Sequence, residues 1–503
     1  MGEYSSHILI FAAAEFSAPP NEVRVLFLRS FALSIFAMLL CGAASSAQRS
    51  ARIAPADILI VHAKIYTVDE KKPWAQSLAI RKGKIVAVGS DAQVERFRGI
   101  GTKMIDAGGK LVLPAFTDSH IHMTDGGFTL IQANSKEVKS TPQIQDRPRG
   151  CTDQRSDLPP HSHVENLNAL RAAMKWANQN GIARVHSTGG DFEQLDALQE
   201  LRTDKQLSVR FHIAYKLEPP ELRAQDIDAI ETARKKFHDD WINVNSVKFF
   251  LDGSVEPHTA ALLESYTDMP STKGALLWDP DKCKSAVAEL DKRGLQLYAH
   301  ATGDYAVRTA LDAYELAESK NHTKDHRNRV EHIETVSTAD IPRFGKLDVI
   351  ASMQPLGSYP DDNILDIWAR NIGSDRASRA WAWKSIAQHG AHFAFGSDWP
   401  FAALSPWEGI QTAITRQTRN GKPAAGFVPS QKLTVAQAVE GYTIEAAYAG
   451  HLEKSEGSLE TGKVADVIIL DRNILEIDPH TINQTKVLFT IVGGKIVYED
   501  DTH

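Results

Sequence analysis

Leu113-Pro-Ala-Phe-Thr-Asp-Ser-His-Ile-His122 is the stretch of sequence that decides the fold. The pattern predicts a buried strand from Leu111 to Phe116 that runs into a His-x-His pair. Residues two apart on a strand point to the same face, so His120 and His122 direct both imidazoles at one point, as two ligands of one metal ion require. A chain with 19 histidines in 503 residues contains roughly 0.7 such pairs by chance. A second pair, His161-Ser-His163, lies in a polar stretch without a strand pattern, and we interpret it as a chance match.

Downstream of this stretch, short β segments alternate with amphipathic helical segments. Eight strands that alternate with helices predict an α/β fold built on a (β/α)8 TIM-like barrel. The candidate strands are Phe116–Ile121, Ala183–Ser187, Ser208–Tyr215, Ser246–Leu251, Gln296–Ala301, Arg329–Glu334, Asp348–Met353 and His392–Ser397.

The two ends of the mature chain have a different character, with short β segments joined by glycine-containing turns. We expect them to pair into one small β-sandwich domain formed by residues 48–113 and 455–503, with the barrel over residues 114–454. The segments that carry this prediction are Ile58–Val61, Lys64–Val68, Ser77–Ile80, Lys84–Val88, Val464–Leu470 and Val487–Val497.

Several metal-binding residue types fall near the ends of the candidate barrel strands. In such barrels the chemistry lies at the carboxyl ends of the strands. Imidazoles and a carboxylate at these positions suit zinc or a related divalent ion. The residues are His120 and His122 at the first strand, Lys248 in the fourth, His300 in the fifth, His332 in the sixth and Asp398 just past the eighth.

The composition argues against nucleic-acid binding, and the N-terminal segment indicates export. The chain is 43% hydrophobic and 24% charged with a formal charge of −7, and it has no basic stripe, so nucleic-acid binding is not expected.

Arg24 and Arg29 precede an apolar run and then small residues up to Ala47, which is typical of a signal peptide over residues 1–47. The alternative, a membrane anchor, needs about 20 apolar residues. We therefore expect a periplasmic or secreted protein without a membrane anchor after cleavage.

These motifs together resemble the amidohydrolase superfamily, in particular its YtcJ-like, amidohydrolase-3 branch. The resemblance covers Ile58 to about Tyr498 with one gap. The matching runs are Leu113 to His122, Val247-Lys-Phe-Phe-Leu-Asp-Gly253, Ala299-His-Ala-Thr-Gly-Asp304, Val330-Glu-His-Ile-Glu334, Phe395-Gly-Ser-Asp-Trp-Pro400 and Gly457 to Asp466.

The resemblance implies one or two divalent ions, first of all Zn²⁺, held by His120, His122, Lys248, His300, His332 and Asp398. Lys248 would be a carbamylated lysine that bridges two ions, because a lysine near cations in a partly dry site has a lowered pKa and its neutral amine takes up CO2. The alternative is a lysine whose charge pairs with Asp252 or another carboxylate. For His300 and His332 the alternative is a buried histidine with a structural role.

The resemblance also implies catalytic roles. Asp398 would accept the proton of the attacking water, and His300 or His258 would stabilise the oxyanion. Asp304 and Glu331 are candidates for orienting the ligand imidazoles. The alternatives are that His258 is an ordinary loop residue and that Asp304 and Glu331 are helix-cap or surface carboxylates.

Residues 126–165 depart from the family, whose members carry a much longer segment after the first barrel strand. The remainder is rich in polar residues and proline, so we expect an irregular, truncated insertion, exposed or disordered. With the cover shortened, the ligands remain but the site is more open to water.

The sequence thus predicts a metal-dependent hydrolase of amide or N-formyl-type carbon–nitrogen bonds in a small-molecule substrate. The alternatives are a deaminase or ester hydrolase on the same scaffold, or a non-catalytic metal-binding relic without its lid. A homo-oligomer is compatible with the sequence.

Overall fold

The computed structural model describes residues 53–135 and 161–501. The predicted signal peptide, residues 1–47, lies outside the described residues, and so do residues 136–160 of the predicted insertion. None of the helices within the described ranges has the length and apolar character needed to cross a bilayer.

Strands from both ends of the chain pair in one sheet, which confirms this part of the predicted fold. The strands at the two ends are β1 (Ile58–Val61), β2 (Lys64–Tyr66), β3 (Trp74–Ala75), β4 (Ser77–Arg81), β5 (Lys84–Gly89), β6 (Lys103–Asp106), β7 (Leu111–Pro114), β16 (Val467–Leu470), β17 (Val487–Val492) and β18 (Lys495–Glu499). They form a four-stranded sheet in the order β5-β4-β1-β6 and a six-stranded sheet in the order β18-β17-β16-β7-β2-β3. Apolar side chains of both sheets form a separate hydrophobic cluster.

Eight parallel strands follow one another in chain order and confirm the predicted barrel. The largest hydrophobic cluster lies between these strands and the surrounding helices. The strands are β8 (Phe116–Ile121), β9 (Ile182–Ser187), β10 (Arg210–Leu217), β11 (Ile242–Phe250), β12 (Gln296–Ala301), β13 (Arg329–His332), β14 (Ile350–Met353) and β15 (Phe393–Phe395). The sixth and eighth strands end before the predicted Glu334 and Ser397.

The barrel closes between its first and last strands just where β15 ends. The amide N–H of Asp398 donates to the carbonyl of His120 at 2.7 Å, and that of His122 donates to Trp399 at 2.9 Å. The buried Asp118 carboxylate accepts from the Ser397 amide at 3.0 Å. These contacts bring the His-x-His pair against the loop that carries Asp398.

Helices occupy most of the connections between the strands. Their bounds are α1 (Asp91–Glu95), α2 (Met123–Ser135), α3 (His163–Gln179), α4 (Leu195–Thr203), α5 (Ala224–Lys236), α6 (Pro280–Lys292), α7 (Asp304–Asn321), α8 (Ile341–Lys346), α9 (Ala369–Ala377), α10 (Trp383–Gln388), α11 (Pro406–Thr415), α12 (Val435–Gly441) and α13 (Ile444–Ala449).

The prediction of an irregular segment over residues 126–165 is wrong at both of its ends. Residues 126–135 belong to α2, and α3 already begins at His163. The pair Gly126-Gly127 suggests a turn in the sequence, but both glycines are buried by close packing. A Cβ on Gly126 would lie 1.9 Å from the Trp399 ring, and one on Gly127 would lie 2.0 Å from the Ala169 carbonyl oxygen. The glycines therefore allow α2 to approach its neighbours, and tertiary packing outweighs their low helix propensity.

A buried ion pair ties the barrel to the segment that returns to the β domain. Arg184 on β9 donates from Nε and from a terminal nitrogen to the two carboxylate oxygens of Glu456, both at 2.7 Å. The side chains are 2% and 7% exposed. A bidentate pair in this geometry is well satisfied, but either ion alone in the same place would be strongly disfavoured.

We expect Glu456→Ala to destabilise the protein by about 3–5 kcal/mol, because it leaves the Arg184 guanidinium buried without its counter-ion. The matched control is Glu476→Ala, which removes a half-exposed pair with Lys64 and should cost less than about 1 kcal/mol. Urea unfolding followed by circular dichroism measures both changes. Equal midpoints for the two variants would contradict this role of the buried pair.

Candidate metal centre

His120 and His122 converge on one carboxylate, as the His-x-His spacing predicts. The Nε2 atoms of both rings lie 3.4 Å from Oδ1 of Asp398. His120 is the second-last residue of β8, and His122 follows directly after the strand. The strand geometry and the closure of the barrel together place these three side chains at its carboxyl end.

The outward nitrogens of both rings are held by hydrogen bonds that leave Nε2 for a ligand. Nδ1 of His120 lies 2.5 Å from Oε2 of Glu331, and Nδ1 of His122 lies 3.1 Å from the carbonyl oxygen of Gly189. Since a carboxylate and a carbonyl can only accept, both Nδ1 atoms carry the proton. The Asp398 carboxylate favours the charged form of His122 and raises its pKa despite burial. In the neutral form of either ring, Nε2 is the nitrogen that remains to bind a cation beside Asp398, as in metal-binding histidines.

His300 and His332 face His120 from neighbouring strands. Their rings are 4.4 Å apart, and the His332 ring lies 4.7 Å from that of His120. Burial lowers the pKa of His300 to about 3, and it holds the pKa of His332 well below its usual value. Both imidazoles are therefore neutral at pH 7 and retain a lone pair for coordination.

His300 has one buried ring nitrogen whose hydrogen-bonding capacity is unused. Its Nε2 lies 3.2 Å from the carbonyl oxygen of Gly253 and so carries the proton. Its Nδ1 is buried and has no hydrogen-bond partner among the described residues. A buried lone pair without a donor is costly unless something binds it, so this atom fits a metal ligand. Because Nε2–H already donates to Gly253, His300 suits the ligand role better than the oxyanion role.

Lys248 points into the same cluster. It is 1% exposed, and its Nζ lies 3.5 Å from Nε2 of His120. Asp252, the partner in the alternative interpretation, accepts hydrogen bonds from the backbone amides of Ala261, Thr302 and Gly303 at 2.8–3.0 Å. Burial raises the pKa of Asp252 to about 7 despite these bonds. These contacts give Asp252 a role in holding the loop after β11.

Glu331 links the cluster to a buried arginine. Its Oε1 accepts from Nε of Arg329 at 2.8 Å, while Oε2 accepts from His120. Burial alone would raise the pKa of Glu331, but Arg329 and His120 hold it well below the usual value. Arg329 also donates to Nδ1 of His186 at 3.0 Å and to Ser352 at 2.8 Å. The structure thus places the Glu331 carboxylate against the imidazole of His120.

Asp304 and His258 have their hydrogen-bond partners outside the cluster of imidazoles and Asp398. Asp304 accepts from the backbone amide of Leu263 at 2.9 Å, so its contact orients a loop and not an imidazole. His258 lies in the loop after β11, and its Nε2 is 3.0 Å from Asp268. It does not line the cavity beside the cluster.

Strained backbone marks the rim of the cluster. Four non-glycine residues there have φ in the left-handed region: His332 (+74°), Ile333 (+50°), Trp381 (+46°) and Asp398 (+58°). Such conformations cost energy and concentrate at functional sites, where the surroundings enforce them.

Sequence reasoning missed two residues that shape the site. Arg329 precedes Glu331 by two positions on the same strand, and this spacing could have indicated an ion pair facing the barrel interior. Asp118 lies inside the opening motif, two residues before His120, and its Oδ1 accepts from the His120 amide at 3.1 Å. Burial raises the pKa of Asp118 to about 6.

The donor set fits a divalent cation. His120, His332 and Asp398 offer ligand atoms that all lie within 4.8 Å of one another. Neutral imidazoles with a carboxylate are the usual ligands of zinc and related ions. His122 and His300 do not belong to this group of three, but their rings lie against it, 5.9 Å from His120 and 4.4 Å from His332.

A family model described as the amidohydrolase family matches residues 151–498. The chain belongs to this family. The match includes Lys248, His300, His332 and Asp398 but begins after the His-x-His pair. Family membership makes the protein a hydrolase that acts on carbon–nitrogen bonds.

Curated relatives extend the similarity over most of the chain. The chain is 29% identical to the protein LONG AFTER FAR-RED 3 of Arabidopsis thaliana, over 88% of this chain and 92% of that protein. It is 28% identical to the YtcJ protein of Bacillus subtilis over 68% of this chain and 63% of that protein, in agreement with the YtcJ-like branch. It is 21% identical to the N-substituted formamide deformylase of Arthrobacter pascens over 88% and 98% of the two chains.

The fold has close counterparts among solved structures. A metal-dependent hydrolase from Pyrococcus furiosus superposes with a TM-score of 0.67 at 22% identity, over 83% of this chain and all of that one. The alignment with the Arabidopsis protein spans 543 positions although this chain has 503 residues, so that relative contains segments without a counterpart here.

We expect Glu331→Gln to weaken metal binding by about 10- to 100-fold, because the neutral amide no longer holds the His120 Nδ1 proton with a full charge. Chelator competition followed by elemental analysis measures the affinity, and thermal melting checks that the variant folds. Glu318→Gln, an exposed substitution on α7, should leave the affinity unchanged. An unaltered affinity in a folded Glu331→Gln protein would show that this carboxylate does not support a ligand.

Proposed function

We propose that this protein is a metal-dependent hydrolase that uses water to cleave amide or N-formyl-type bonds. The observation that carries the proposal is the convergence of His120, His332 and Asp398 at the carboxyl ends of three barrel strands, with ligand atoms within 4.8 Å. The name of the Arthrobacter relative, an N-substituted formamide deformylase, supports the N-formyl class. Lys248 beside the cluster favours an amide hydrolase over a deaminase of the same superfamily.

Zinc is the ion that we propose. Three to four imidazoles with one carboxylate suit its preference for nitrogen ligands and small coordination numbers. When bound, such an ion lowers the pKa of water towards neutrality and polarises the scissile carbonyl.

Asp398 is the residue that we propose to move the proton. Its side chain is 17% exposed, and it lies between the buried imidazoles and the cavity from which a substrate enters. A carboxylate in this position accepts a proton from the attacking water and returns it to the leaving nitrogen. Its backbone amide is held by the His120 carbonyl at 2.7 Å, which keeps the carboxylate aligned through both transfers.

We expect the metal-loaded protein to release amine from at least one member of a panel of N-formyl and N-acetyl amines. Asp398→Asn should lower kcat by about 10²- to 10⁴-fold, because an amide cannot act as the base. Asp375→Asn, which changes an aspartate that is 86% exposed, serves as the matched control. A folded, metal-loaded protein that releases no amine from any compound would refute the hydrolase proposal.

We also propose that Lys248 is carbamylated and bridges two ions. Its Nζ reaches the cluster, and burial disfavours the charged ammonium form. The neutral amine would add to CO2 and lose one proton, giving an anion whose oxygens two cations can share.

Elemental analysis of Lys248→Ala tests the bridge. The wild type should hold two ions per chain, and the variant one or none, since the shared anionic ligand is lost. Lys346→Ala, at a lysine that is 71% exposed, controls for surface charge. An unchanged metal count in Lys248→Ala would remove Lys248 from the site.

A further inference from the structure

His122 is the last residue before helix α2, so its position depends on how that helix begins. α2 covers Met123–Ser135, and the amide of Gly126 donates to the His122 carbonyl oxygen at 3.0 Å as the first hydrogen bond of the helix. His122 therefore stands at the position whose side chain normally caps the first helical amides. Its ring cannot do so, because it faces Asp398 and its Nδ1 lies against the Gly189 carbonyl oxygen.

Asp191, in the loop after β9, supplies the cap that His122 does not provide. Its carboxylate accepts hydrogen bonds from the backbone amides of Met123 at 3.3 Å and Thr124 at 2.9 Å, and from the hydroxyl of Thr124. Asp191 is fully buried. A side-chain oxygen in this place satisfies amides that a helix leaves without partners at its start.

The same loop also contacts the residues before the helix. The amide of Thr188 donates to the Ile121 carbonyl oxygen at 3.1 Å, and the Gly189 carbonyl oxygen accepts from the His122 ring at 3.1 Å. Gly190 turns the loop with φ at +87°, in the left-handed region that glycine adopts without strain. The loop therefore contacts the chain directly before, at and after this ligand.

The body of α2 is fixed by its packing. Gly126 lies so close to the Trp399 ring, and Gly127 so close to the Ala169 carbonyl oxygen, that neither position has room for a Cβ. The helix as a whole therefore cannot shift to compensate for a lost cap. Its first residues are the part that can move, and they follow His122 directly.

We propose that Asp191 is a positioning residue of the metal centre: by capping α2 it fixes the backbone beside His122, and so it holds the imidazole where that ring binds the ion. This inference rests on the proposed function, because it assumes that His122 is a metal ligand. Asp191 acts through the start of the helix and not as a ligand. Residues that orient metal ligands typically change the metal affinity by about 10- to 100-fold.

Removal of the cap tests the proposal. We expect Asp191→Ala to weaken metal binding by about 10- to 100-fold in chelator competition. It should also change the visible absorption spectrum of the Co²⁺-loaded protein, because that spectrum reports the geometry around the ion. Asp191→Asn retains an oxygen for the Thr124 amide, and asparagine caps helices as well as aspartate does, so this variant should recover most of the affinity and the spectrum.

Asp279 provides the matched control, because it caps another helix in the same way. Its carboxylate accepts from the amides of Asp281 and Lys282 at 3.0 Å, and α6 has 13 residues, as α2 has. Asp279→Ala should lower the melting temperature, as Asp191→Ala does, since each variant loses a cap. It should leave the metal affinity and the Co²⁺ spectrum unchanged.

Three results would overturn the positioning role. They are a folded Asp191→Ala protein with wild-type affinity and spectrum, an equal loss of affinity in Asp279→Ala, and an Asp191→Asn protein that binds metal as weakly as Asp191→Ala. If Asp191→Ala does not fold, Asp191→Ser replaces it, because the serine side chain is too short to reach the helix, and the same results decide.

A wild-type protein that binds no divalent metal would be a failure of the proposed function and not of this inference. Crystal structures of the wild type and of Asp191→Ala then decide the positioning role. A shift of the His122 Nε2 atom by more than about 1 Å, a displacement large enough to disable a site, would support it. An unmoved ring would overturn it.

Discussion

The hydrogen bond from the Asp398 amide to the His120 carbonyl oxygen, 2.7 Å long, is the contact on which the site depends. It joins the end of the last barrel strand to the end of the first, and so it closes the barrel at the level of the His-x-His pair. Gly396 makes the approach possible, since a Cβ there would lie 2.4 Å from the His120 amide nitrogen. Without this closure the carboxylate and the imidazoles would belong to opposite edges of an open sheet.

The second constraint is electrostatic. The cluster is buried, and burial favours neutral imidazoles at His300 and His332. The same burial would also favour a neutral Glu331, but the buried Arg329 guanidinium keeps it ionised. A chain of contacts therefore runs from Arg329 through Glu331 to Nδ1 of His120 and fixes which nitrogen of that ring faces the cluster. The buried charge of Arg329 therefore acts through Glu331 on the orientation of the His120 ring at the carboxyl end of the barrel.

Strands and loops contribute different parts of the site. The strands supply the metal centre, in which side chains within three positions of a strand end converge. The loops after the strands supply the cavity beside the metal centre. In these loops the Trp381 amide donates a hydrogen bond to the Glu334 carbonyl oxygen. Rigid strands suit precise positioning of ligands, whereas loops can change the substrate without disturbing the metal centre.

Much of the architecture could be predicted from local pattern alone. All eight barrel strands and the pairing of the two chain ends follow from short apolar runs and turn residues, because strand formation is read from periodicity. The helix over residues 126–135 could not be predicted, because Gly126 and Gly127 disfavour a helix locally and only the packing against Trp399 and Ala169 explains them. The role of Asp304 stayed open in the sequence for a related reason: a helix-start carboxylate can meet an imidazole or a loop amide, and the sequence does not distinguish the two.

The sequence by itself determined which side chains are available for a metal: the His-x-His pair on a strand, with histidines and an aspartate at later strand ends. Strand periodicity and the alternation of strands with helices are local properties, so they can be read without coordinates. Only the tertiary structure decided that these side chains meet, which ring nitrogens carry protons, and that Glu256 and Glu334 share a cavity with Trp381. Those properties depend on contacts between residues far apart in the chain and on burial. A short stretch of sequence contains no information on either.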